Sequence, residues 1–268
     1  MPLTGVAGWP VAHSRSPQLH AAAFADLGLE GWESQLLPIP VEVFAETVRS
    51  LPASGFVGIN VTIPHKEAAF EVADEPSGTA RAIGAANTLT FKDGRIFADN
   101  TDSPAIGAAI ADTLGVSDLS GLTVGVLGAG GSARAAAHAA VAGGASQTRV
   151  WNRNSVRSKL LASELDGVDA VEDLGDLDVL INATPVGLLA GSSLSDLPNQ
   201  GRAPDGCRLV LDLVYSDEPT ELVKLATAMD VPTVDGLEIL VRQGALSVEI
   251  WCGQPPDLGA LRRAVAAP

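Results

Sequence analysis

The chain has few cysteines, few basic residues and no long apolar run, and each deficit excludes a class of protein. Its two cysteines, Cys207 and Cys252, form neither a disulfide framework nor a metal-site spacing. Only 17 lysines and arginines stand against 32 acidic residues, and the net charge of −15 argues against nucleic acid and anionic membranes as partners. No apolar run reaches the roughly 18 residues that a membrane-spanning helix needs.

The rest of the composition is typical of a globular protein. With 268 residues, 46% of them hydrophobic, the chain is long enough for a large core and two domains. The N-terminus lacks a charged n-region and a long apolar h-region, so we expect no signal peptide and a cytoplasmic protein. The four histidines show no metal-ligand pattern, and we expect no metal.

Strand and helix patterns alternate along the chain, which predicts an α/β architecture with parallel sheets. Residues 1–101 give short strands between alanine-rich helices. A second block starts near Ser103, and its clearest strand is Thr123–Leu127. Two further apolar strands, at residues 178–181 and 208–213, lead into polar or aromatic residues. Such strand ends are where ligands bind in open α/β sheets.

The second block contains a dinucleotide-binding fingerprint. Gly128, Gly130 and Ala133 fit the pattern G-x-G-x-x-G/A. The first glycine permits a tight turn, the second lets the backbone approach a pyrophosphate, and the small third residue lets helix and strand pack. The helix N-terminus offers its N–H groups to phosphate. A purely structural glycine turn is the alternative, but the strand before it and the helix after it favour a nucleotide site.

The end of the next strand indicates which dinucleotide binds. An NAD site would usually place an acid there for the ribose 2′-hydroxyl. This chain has Arg153 and Arg157 instead, four residues apart, and side chains one helical turn apart can converge on one anion. The pair predicts NADP, although two solvated arginines remain the alternative.

A second candidate site lies in the stretch from Asn60 to Lys66. Asn60 and Thr62 would project from the same side of an extended segment, with Ile63 pointing the other way, towards a core. Pro64 suits the first position of a helix, which would place Lys66 in the first helical turn. The helix macrodipole disfavours a cation there. This placement suggests small-molecule chemistry, and an exposed surface lysine is the alternative.

Two more segments carry polar residues that suit a ligand. Ser16 and Pro17 predict a helix N-cap followed by the first helical residue. Ser14 lies two residues earlier, so both hydroxyls could face a carboxylate at the helix start, or Ser16 could simply cap the helix. Asp102 either caps the helix that begins near Pro104 or serves a cleft at the junction of the two blocks.

Two amides complete the candidate residues. Asn87 is polar among small residues. Gln243 falls on a predicted apolar face of the C-terminal helix that also contains Ile239, Leu246 and Ile250. A buried amide needs hydrogen-bond partners, which a ligand hydroxyl, the backbone or water would supply.

With these residues assembled, the chain resembles the shikimate dehydrogenase family over nearly its whole length. It departs from the family pattern at Ala21, where Asn is common, and at Leu188, where Met is common. The matching motifs are Gly8-x-Pro10-x-x-His13-Ser14-Arg15-Ser16-Pro17, Asn60-Val61-Thr62-x-Pro64-x-Lys66, Gly84-Ala85-Ala86-Asn87-Thr88, Asn100-Thr101-Asp102, Gly128–Gly131, Asn152-Arg153 with Arg157, Asn182-Ala183-Thr184-Pro185-x-Gly187, Asp212-Leu213-Val214-Tyr215, and Gly236-Leu237-x-x-Leu240-x-x-Gln243.

The resemblance implies a two-domain α/β fold. Residues 1–102 would form a substrate-binding, catalytic domain, and residues 103–236 a Rossmann-type NADP-binding domain. Residues 237–268 would form C-terminal helices that return to the substrate domain. The implied activity is reversible, NADPH-dependent reduction of 3-dehydroshikimate to shikimate in aromatic amino-acid biosynthesis, by a monomer or homodimer.

The resemblance also implies roles for single residues. Lys66 and Asp102 would be the catalytic pair, and Ser14 and Ser16 would hold the substrate carboxylate. The residues implied for the ring-binding pocket are Asn60, Thr62, Asn87, Tyr215 and Gln243. Those implied for NADP are Gly128, Ala129, Gly130, Gly131, Ser132, Ala133, Asn152, Arg153, Arg157, Thr184, Leu213 and Gly236.

Two other functions remain open on the sequence. One is a quinate/shikimate dehydrogenase, a type that often uses NAD. Similar proteins of that type carry a changed hydroxyl residue at the position of Ser16 and an acid at the nucleotide position, so Ser16 and Arg153 argue against it. The other is a non-catalytic NADP-binding regulatory protein on the same fold, which the fold alone does not exclude.

Overall fold

The computed structural model describes residues 1–188 and 192–266, and the chain forms two compact units. The first unit combines residues 1–101 with the chain from residue 240 onwards, and the second unit spans residues 102–239. Residues 267 and 268, the end of the expected C-terminal segment, lie outside the described residues.

The first unit contains a six-stranded sheet in the order β2-β1-β3-β5-β6-β4. Its buried core includes Phe44, Ile59 and Leu89, which join the helices to the sheet. The elements are β1 Leu3–Gly8, α1 Ser16–Asp26, β2 Glu33–Pro38, α2 Phe44–Ser50, β3 Phe56–Val61, α3 Lys66–Val72, β4 Glu75–Pro76, α4 Gly78–Ile83, β5 Thr88–Lys92 and β6 Arg95–Asp99.

This first sheet is mixed: three of its strand pairs are parallel and two are antiparallel, so the expectation of parallel sheets does not hold for β5. β1 runs parallel to β2 and β3, whereas β5 runs antiparallel to both β3 and β6. For β5 and β6 the reason is the two-residue turn that joins them, in which Asp93 and Gly94 have φ of 52° and 73°. An Asp-Gly pair with two positive φ angles is a strong signal for a tight hairpin, and hairpins join antiparallel strands.

The second unit contains a fully parallel sheet in the order β12-β11-β10-β7-β8-β9. The strand order reverses beside β7, and ligands of open α/β sheets bind at the carboxyl ends of the strands at such a point. The elements are α5 Asp102–Leu114, β7 Thr123–Leu127, α6 Gly131–Ala142, β8 Gln147–Trp151, α7 Ser155–Glu164, β9 Val168–Ala170, β10 Val179–Asn182, β11 Leu209–Asp212, α8 Glu221–Ala228 and β12 Thr233–Val234.

Both faces of this parallel sheet are covered. Along β10, Ile181 belongs to the core on one face and Leu180 to the core on the other. Neighbouring residues of β11, Val210 and Leu211, divide in the same way. A strand that is buried on both faces has a continuous run of apolar residues, and for this reason β10 and β11 could be predicted from the sequence.

Two helices complete the chain: α9 spans Gly236–Cys252 and α10 spans Leu258–Ala266. The predicted apolar face of α9 is wrong at its end, because Ile250 is 42% exposed. Along α9, the side chains of Val241, Ser247 and Val248 are fully buried. Among the described residues, no helix has the length and apolarity required to cross a membrane.

Candidate active site

Lys66 is the first residue of α3, as close to the helix start as the sequence predicted. Two details differ from the prediction. The helix begins two residues after Pro64, whose peptide bond with Ile63 is cis. Ile63 is 49% exposed rather than part of the core, because β3 already ends at Val61 and the strand alternation stops there.

His65 fixes the backbone that carries Lys66. The imidazole of His65 is buried, stacks on Phe44 with ring centroids 4.3 Å apart, and donates from Nε2 to the Ile39 carbonyl at 2.7 Å. Burial lowers the pKa of His65 below its usual 6.5, with the Ile39 hydrogen bond opposing. The Lys66 carbonyl in turn accepts a hydrogen bond from the Ala86 N–H at 2.8 Å. The half-buried Lys66 therefore starts from an anchored turn.

Ser14 and Ser16 lie together at the start of α1. The Ser14 hydroxyl donates to Ser16 Oγ at 3.2 Å, and the Ser16 N–H donates to Ser14 Oγ at 3.3 Å. Ser16 is already the first helical residue, and Arg15 occupies the N-cap position, where its side chain makes no capping hydrogen bond. The predicted Ser16 cap is therefore wrong. Both hydroxyls remain at a helix N-terminus that has no acidic residue in its first turn.

Three of the candidate amides in the first unit lie in one buried cluster. The Asn60 amide donates to the Asn87 carbonyl at 3.0 Å, and the Asn87 amide donates to Gln243 Oε1 at 3.1 Å. All three residues are at most 8% exposed. Thr62 is half-buried just beyond β3, and its N–H donates to the Ala7 carbonyl at 2.8 Å.

The structure adds four polar residues to this cluster that the sequence analysis did not assign: His20, Thr88, Thr101 and Ser247. Each is at most 2% exposed, and each hydrogen-bonds directly to Asn60 or to Asn87. For Ser247 a signal was present, because a residue four positions after Gln243 shares its helical face. His20, Thr88 and Thr101 are brought to the cluster by contacts between residues far apart in the chain, and a single sequence does not reveal such contacts.

The glycine loop of the second unit has the geometry of an anion site. Gly128 has a φ of +116°, and a Cβ placed on it would lie 2.8 Å from the Ala183 carbonyl oxygen. Gly130 precedes α6, whose first turn contains no acid and whose N-terminus has no side-chain cap. Ala133 is fully buried, as the fingerprint requires. The N–H groups at the start of α6 thus present a positive helix end.

Four strand ends adjoin this loop. Leu127 pairs with Trp151 of β8 on one side and Asn182 of β10 on the other, and Asn182 pairs with Asp212 of β11. Because these four strand ends lie side by side, the segments that follow them also lie close together. Those segments contain Asn152 and Arg153, Gly128–Ala133, Thr184, and Leu213. Gly236, at the start of α9, approaches the last of these segments so closely that a Cβ would lie 2.5 Å from the Leu213 carbonyl oxygen.

Arg153 and Arg157 lie after β8 and are both exposed. Helix α7 begins at Ser155, so Arg153 precedes it and the pair does not occupy one helical turn, as the sequence prediction assumed. Within the part of the chain that the structure describes, neither guanidinium has an ion-pair partner. The residue directly after β8 is Asn152 rather than an acid, so the strand end fits a phosphate better than a ribose hydroxyl.

A buried carboxylate holds the loops after β10 and β11. Asp212 is fully buried and accepts hydrogen bonds from Asn182 Nδ2 at 2.8 Å, the Val214 N–H at 3.1 Å and Thr220 Oγ1 at 2.6 Å. Burial raises the pKa of Asp212, and these three donors oppose the rise. The Thr184 hydroxyl donates to Asn182 Oδ1 at 2.7 Å, so Thr184 belongs to the same network.

Asp102 and Tyr215 also belong to the second unit. Asp102 is 7% exposed and is itself the first residue of α5, two positions earlier than the helix start expected at Pro104. Tyr215 is half-buried, three residues beyond the end of β11. In residues 1–188 and 192–266, no three His, Cys, Asp or Glu side chains are grouped to hold a metal ion.

The parallel sheet, its glycine loop and the two arginines define a two-unit α/β protein with a Rossmann-type dinucleotide-binding unit. Three family models match the chain: shikimate dehydrogenase substrate binding domain at residues 6–89, shikimate/quinate 5-dehydrogenase at 110–238, and shikimate 5′-dehydrogenase C-terminal domain at 236–266. The chain belongs to the shikimate dehydrogenase family.

Individual relatives agree over the full length. Shikimate dehydrogenase (NADP(+)) of Paracoccus denitrificans is 40% identical over 277 residues, covering 99% of this chain and 96% of that one. The crystal structure of shikimate 5-dehydrogenase from Thermus thermophilus in complex with NADP(H) and shikimate matches with a TM-score of 0.84 at 36% identity, covering 98% of each chain. The ligand-free 5-ketofructose reductase of a Gluconobacter strain matches with a TM-score of 0.81 at 28% identity, covering 98% of this chain and 97% of that one.

Proposed function

We propose that this chain catalyses the reversible, NADPH-dependent reduction of 3-dehydroshikimate to shikimate, a step of aromatic amino-acid biosynthesis. The observation that carries the proposal is the full-length match to the Thermus thermophilus enzyme, whose structure holds both NADP(H) and shikimate. The name of the Paracoccus denitrificans relative specifies the same activity and cofactor. A cytoplasmic monomer or homodimer remains our prediction for its form in the cell.

The second unit is the proposed NADP site, and bound NADPH supplies the hydride. Residues 128–133 would receive the pyrophosphate on the open N-terminus of α6. Arg153 and Arg157 would bind the 2′-phosphate. This assignment is supported because both are exposed, both follow β8, and neither has an ion-pair partner among the described residues. Four further residues at the neighbouring strand ends would complete the site: Asn152, Thr184, Leu213 and Gly236.

Lys66 and Asp102 are the proposed catalytic pair. When hydride reaches the ketone carbon, negative charge develops on the ketone oxygen, and that oxygen must gain a proton to become a hydroxyl. An ammonium group beside the oxygen lowers the barrier electrostatically, and a lysine–aspartate pair can also deliver the proton. The anchored backbone of Lys66 supports this role, because acid–base catalysis depends on a fixed position.

The first unit is the proposed substrate site. Ser14 and Ser16 would hold the carboxylate, as their two hydroxyls lie 3.2 Å apart at the N-terminus of α1. Asn60, Thr62, Asn87 and Gln243 would surround the ring, and Tyr215 is proposed as a further ring-binding residue. Of these, Asn60, Asn87 and Gln243 support the assignment most, because they form one hydrogen-bonded cluster.

Quinate is the second candidate substrate, since the family model that matches residues 110–238 is described as shikimate/quinate 5-dehydrogenase. We propose shikimate as the principal substrate because Ser16 and Arg153 depart from the pattern of quinate-using relatives. The test is a panel of initial rates: NADPH oxidation with 3-dehydroshikimate, and NADP or NAD reduction with shikimate or quinate. Shikimate with NADP should give the highest kcat/KM. A higher value for quinate with NAD would reverse the assignment.

A further inference from the structure

Ser247 connects the C-terminal helix α9 to the polar cluster of the first unit. It is fully buried, and its Oγ has four polar neighbours. It donates to the Gln243 carbonyl at 3.0 Å, accepts from Asn60 Nδ2 at 2.8 Å, and lies 2.8 Å from Thr88 Oγ1 and 3.2 Å from Thr101 Oγ1. A hydroxyl has one proton and two acceptor positions, and the Gln243 carbonyl takes the proton. The two nearest neighbours, Asn60 Nδ2 and Thr88 Oγ1, both at 2.8 Å, then fill the two acceptor positions.

The direction of the Asn60 amide follows from the backbone. The Asn87 carbonyl can only accept, so the atom of Asn60 that faces it, at 3.0 Å, is the amide nitrogen. Asn60 Oδ1 then faces His20 Nε2 at 2.9 Å, which must carry a proton. The other ring nitrogen of His20 accepts from the Ser34 hydroxyl at 2.7 Å. A neutral His20 in one tautomer therefore holds one end of Asn60, and Ser247 helps to hold the other.

The directions of the Asn87 and Gln243 amides are fixed in the same way. The Thr101 backbone N–H can only donate, so Asn87 Oδ1 faces it at 2.8 Å, and Asn87 Nδ2 faces Gln243 at 3.1 Å. Gln243 must then present Oε1 to Asn87, and its Nε2 donates to the Leu240 carbonyl at 2.9 Å. Neither amide can rotate by half a turn without setting donor against donor or acceptor against acceptor.

We propose that Ser247 is a positioning residue of the substrate site, which holds Asn60 and Thr88 and, through them, the Asn87 and Gln243 amides. Without its oxygen, the Thr88 hydroxyl loses its 2.8 Å partner and keeps Asn87 Oδ1, at 3.2 Å, as an acceptor. Removing Ser247 Oγ also takes from Asn60 Nδ2 its 2.8 Å acceptor and leaves it Thr88 Oγ1 at 3.2 Å. The Asn60, Asn87 and Gln243 amides would keep the directions that backbone groups set, but the cluster that holds them in place would be less tightly bonded. The inference rests on the proposed function, because it concerns recognition of the same substrate.

The test compares Ser247→Ala with a matched control, Thr4→Val. Thr4 is also fully buried in the first unit, and its hydroxyl makes one hydrogen bond, to the Glu33 carbonyl at 3.1 Å. Loss of one uncharged hydrogen bond corresponds to about five-fold in an equilibrium constant. Ser247→Ala should therefore raise the KM for 3-dehydroshikimate and the calorimetric Kd for shikimate by about five-fold or more. Its kcat should stay within about two-fold, and its Kd for NADPH, which the second unit binds, should not change.

A second pair of variants keeps the test decisive if Ser247→Ala does not fold. Thr88→Val removes the hydroxyl that pairs with Ser247 and keeps the branched shape of the side chain, whereas Thr88→Ser retains the hydroxyl. Thr88→Val should raise the KM, and Thr88→Ser should restore it towards the wild-type value. A wild-type KM in Ser247→Ala, an equal KM in the two Thr88 variants, or the same rise in Thr4→Val would overturn the positioning role. Failure of the proposed function would appear separately, as a wild-type protein that neither oxidises NADPH with 3-dehydroshikimate nor binds shikimate.

Discussion

A lysine at the first position of a helix opposes the helix macrodipole, so its retention at residue 66 calls for a chemical reason. If Lys66 stabilises and protonates the developing alkoxide, Lys66→Ala should lower kcat at least ~100-fold, the lower end for a positioned acid–base group. The KM should change less, because ring contacts from other residues remain. The measurement is steady-state NADPH oxidation, with Lys92→Ala, an exposed lysine of the same unit, as control. Near-wild-type kcat in Lys66→Ala would remove Lys66 from the mechanism.

Arg153 is the residue proposed to give the preference for NADP over NAD. A charge-assisted hydrogen bond to phosphate contributes about 1.5–3 kcal/mol, so Arg153→Ser should weaken NADPH binding roughly ten-fold or more. NADH lacks the 2′-phosphate, and its Kd should hardly change. Fluorescence titration of both cofactors gives the comparison, with Lys159→Ser on the exposed side of α7 as control. An equal loss for both cofactors would mean that Arg153 does not contact the 2′-phosphate.

Residue chemistry was more predictable from the sequence than residue geometry. Lys66 at a helix start and the paired hydroxyls of Ser14 and Ser16 both follow from local rules on strands, prolines and helix ends. The exposure of Ile63 did not follow, because where a strand ends depends on its neighbours in the sheet. Ser247 lies four residues after Gln243 and shares its helical face, but its burial could not be predicted, because what packs against the helix decides whether a single serine is buried.

Among the secondary-structure elements, the turn between β7 and α6 depends on Gly128, where a side chain would be both strained and crowded. In Gly128→Ala, the alanine would have to adopt a positive φ, and its Cβ would overlap with the Ala183 carbonyl oxygen. Gly115→Ala, in the same unit, also places alanine at a positive φ, but nothing lies within 4 Å of its Cβ. The control should cost about 1–2 kcal/mol in the free energy of unfolding. Gly128→Ala should cost more and also weaken NADPH, as urea unfolding and titration would measure. Equal costs for the two variants would contradict the close approach.

The packing of α1 on the sheet of the first unit makes stability depend on pH through His20. Complete burial lowers the pKa of His20 from 6.5 to about 4, with the Asn60 hydrogen bond opposing. Between these values the unfolded chain binds more protons than the folded protein, so stability falls as the pH drops through this window. The full effect is about 3 kcal/mol, from 1.36 kcal/mol per pKa unit.

The measurement is urea unfolding from pH 7 to pH 4.5 for wild type and His20→Gln. Glutamine cannot take up the proton, so the variant should lose less stability on acidification. Other groups, including Asp212 with its raised pKa, titrate alike in both proteins and cancel in the difference. Parallel stability curves would show that His20 is not buried in the neutral form.

For the elements themselves, the parallel sheet of the second unit was predictable, because continuous apolar strands, a glycine turn and a helix follow one another within a short stretch. The hairpin between β5 and β6 was predictable in principle from Asp93 and Gly94, yet alternation of strands and helices elsewhere suggested parallel pairing. Which strands are neighbours in the first sheet is a long-range property. Loop residues constrain it only where a turn is as short as this one.

At the scale of the whole molecule, the function follows from the combination of motifs rather than from any one of them. The Gluconobacter relative shows that this fold also serves a reductase with a different name. The fold alone therefore does not select the substrate, and the side chains of the first unit must do so. Ser14, Ser16 and the amides of the buried cluster are the groups that would recognise a carboxylated, hydroxylated ring.

Hydride transfer from NADPH to 3-dehydroshikimate is measured by following the hydrogen itself. The protein would be incubated with 3-dehydroshikimate and NADPH carrying deuterium at both positions of nicotinamide C4, and the product analysed by mass spectrometry. Shikimate with one carbon-bound deuterium per molecule, formed in equal amount to the NADP, is the predicted result. Bound ligands without any transfer, or NADPH consumed without labelled shikimate, would contradict the account.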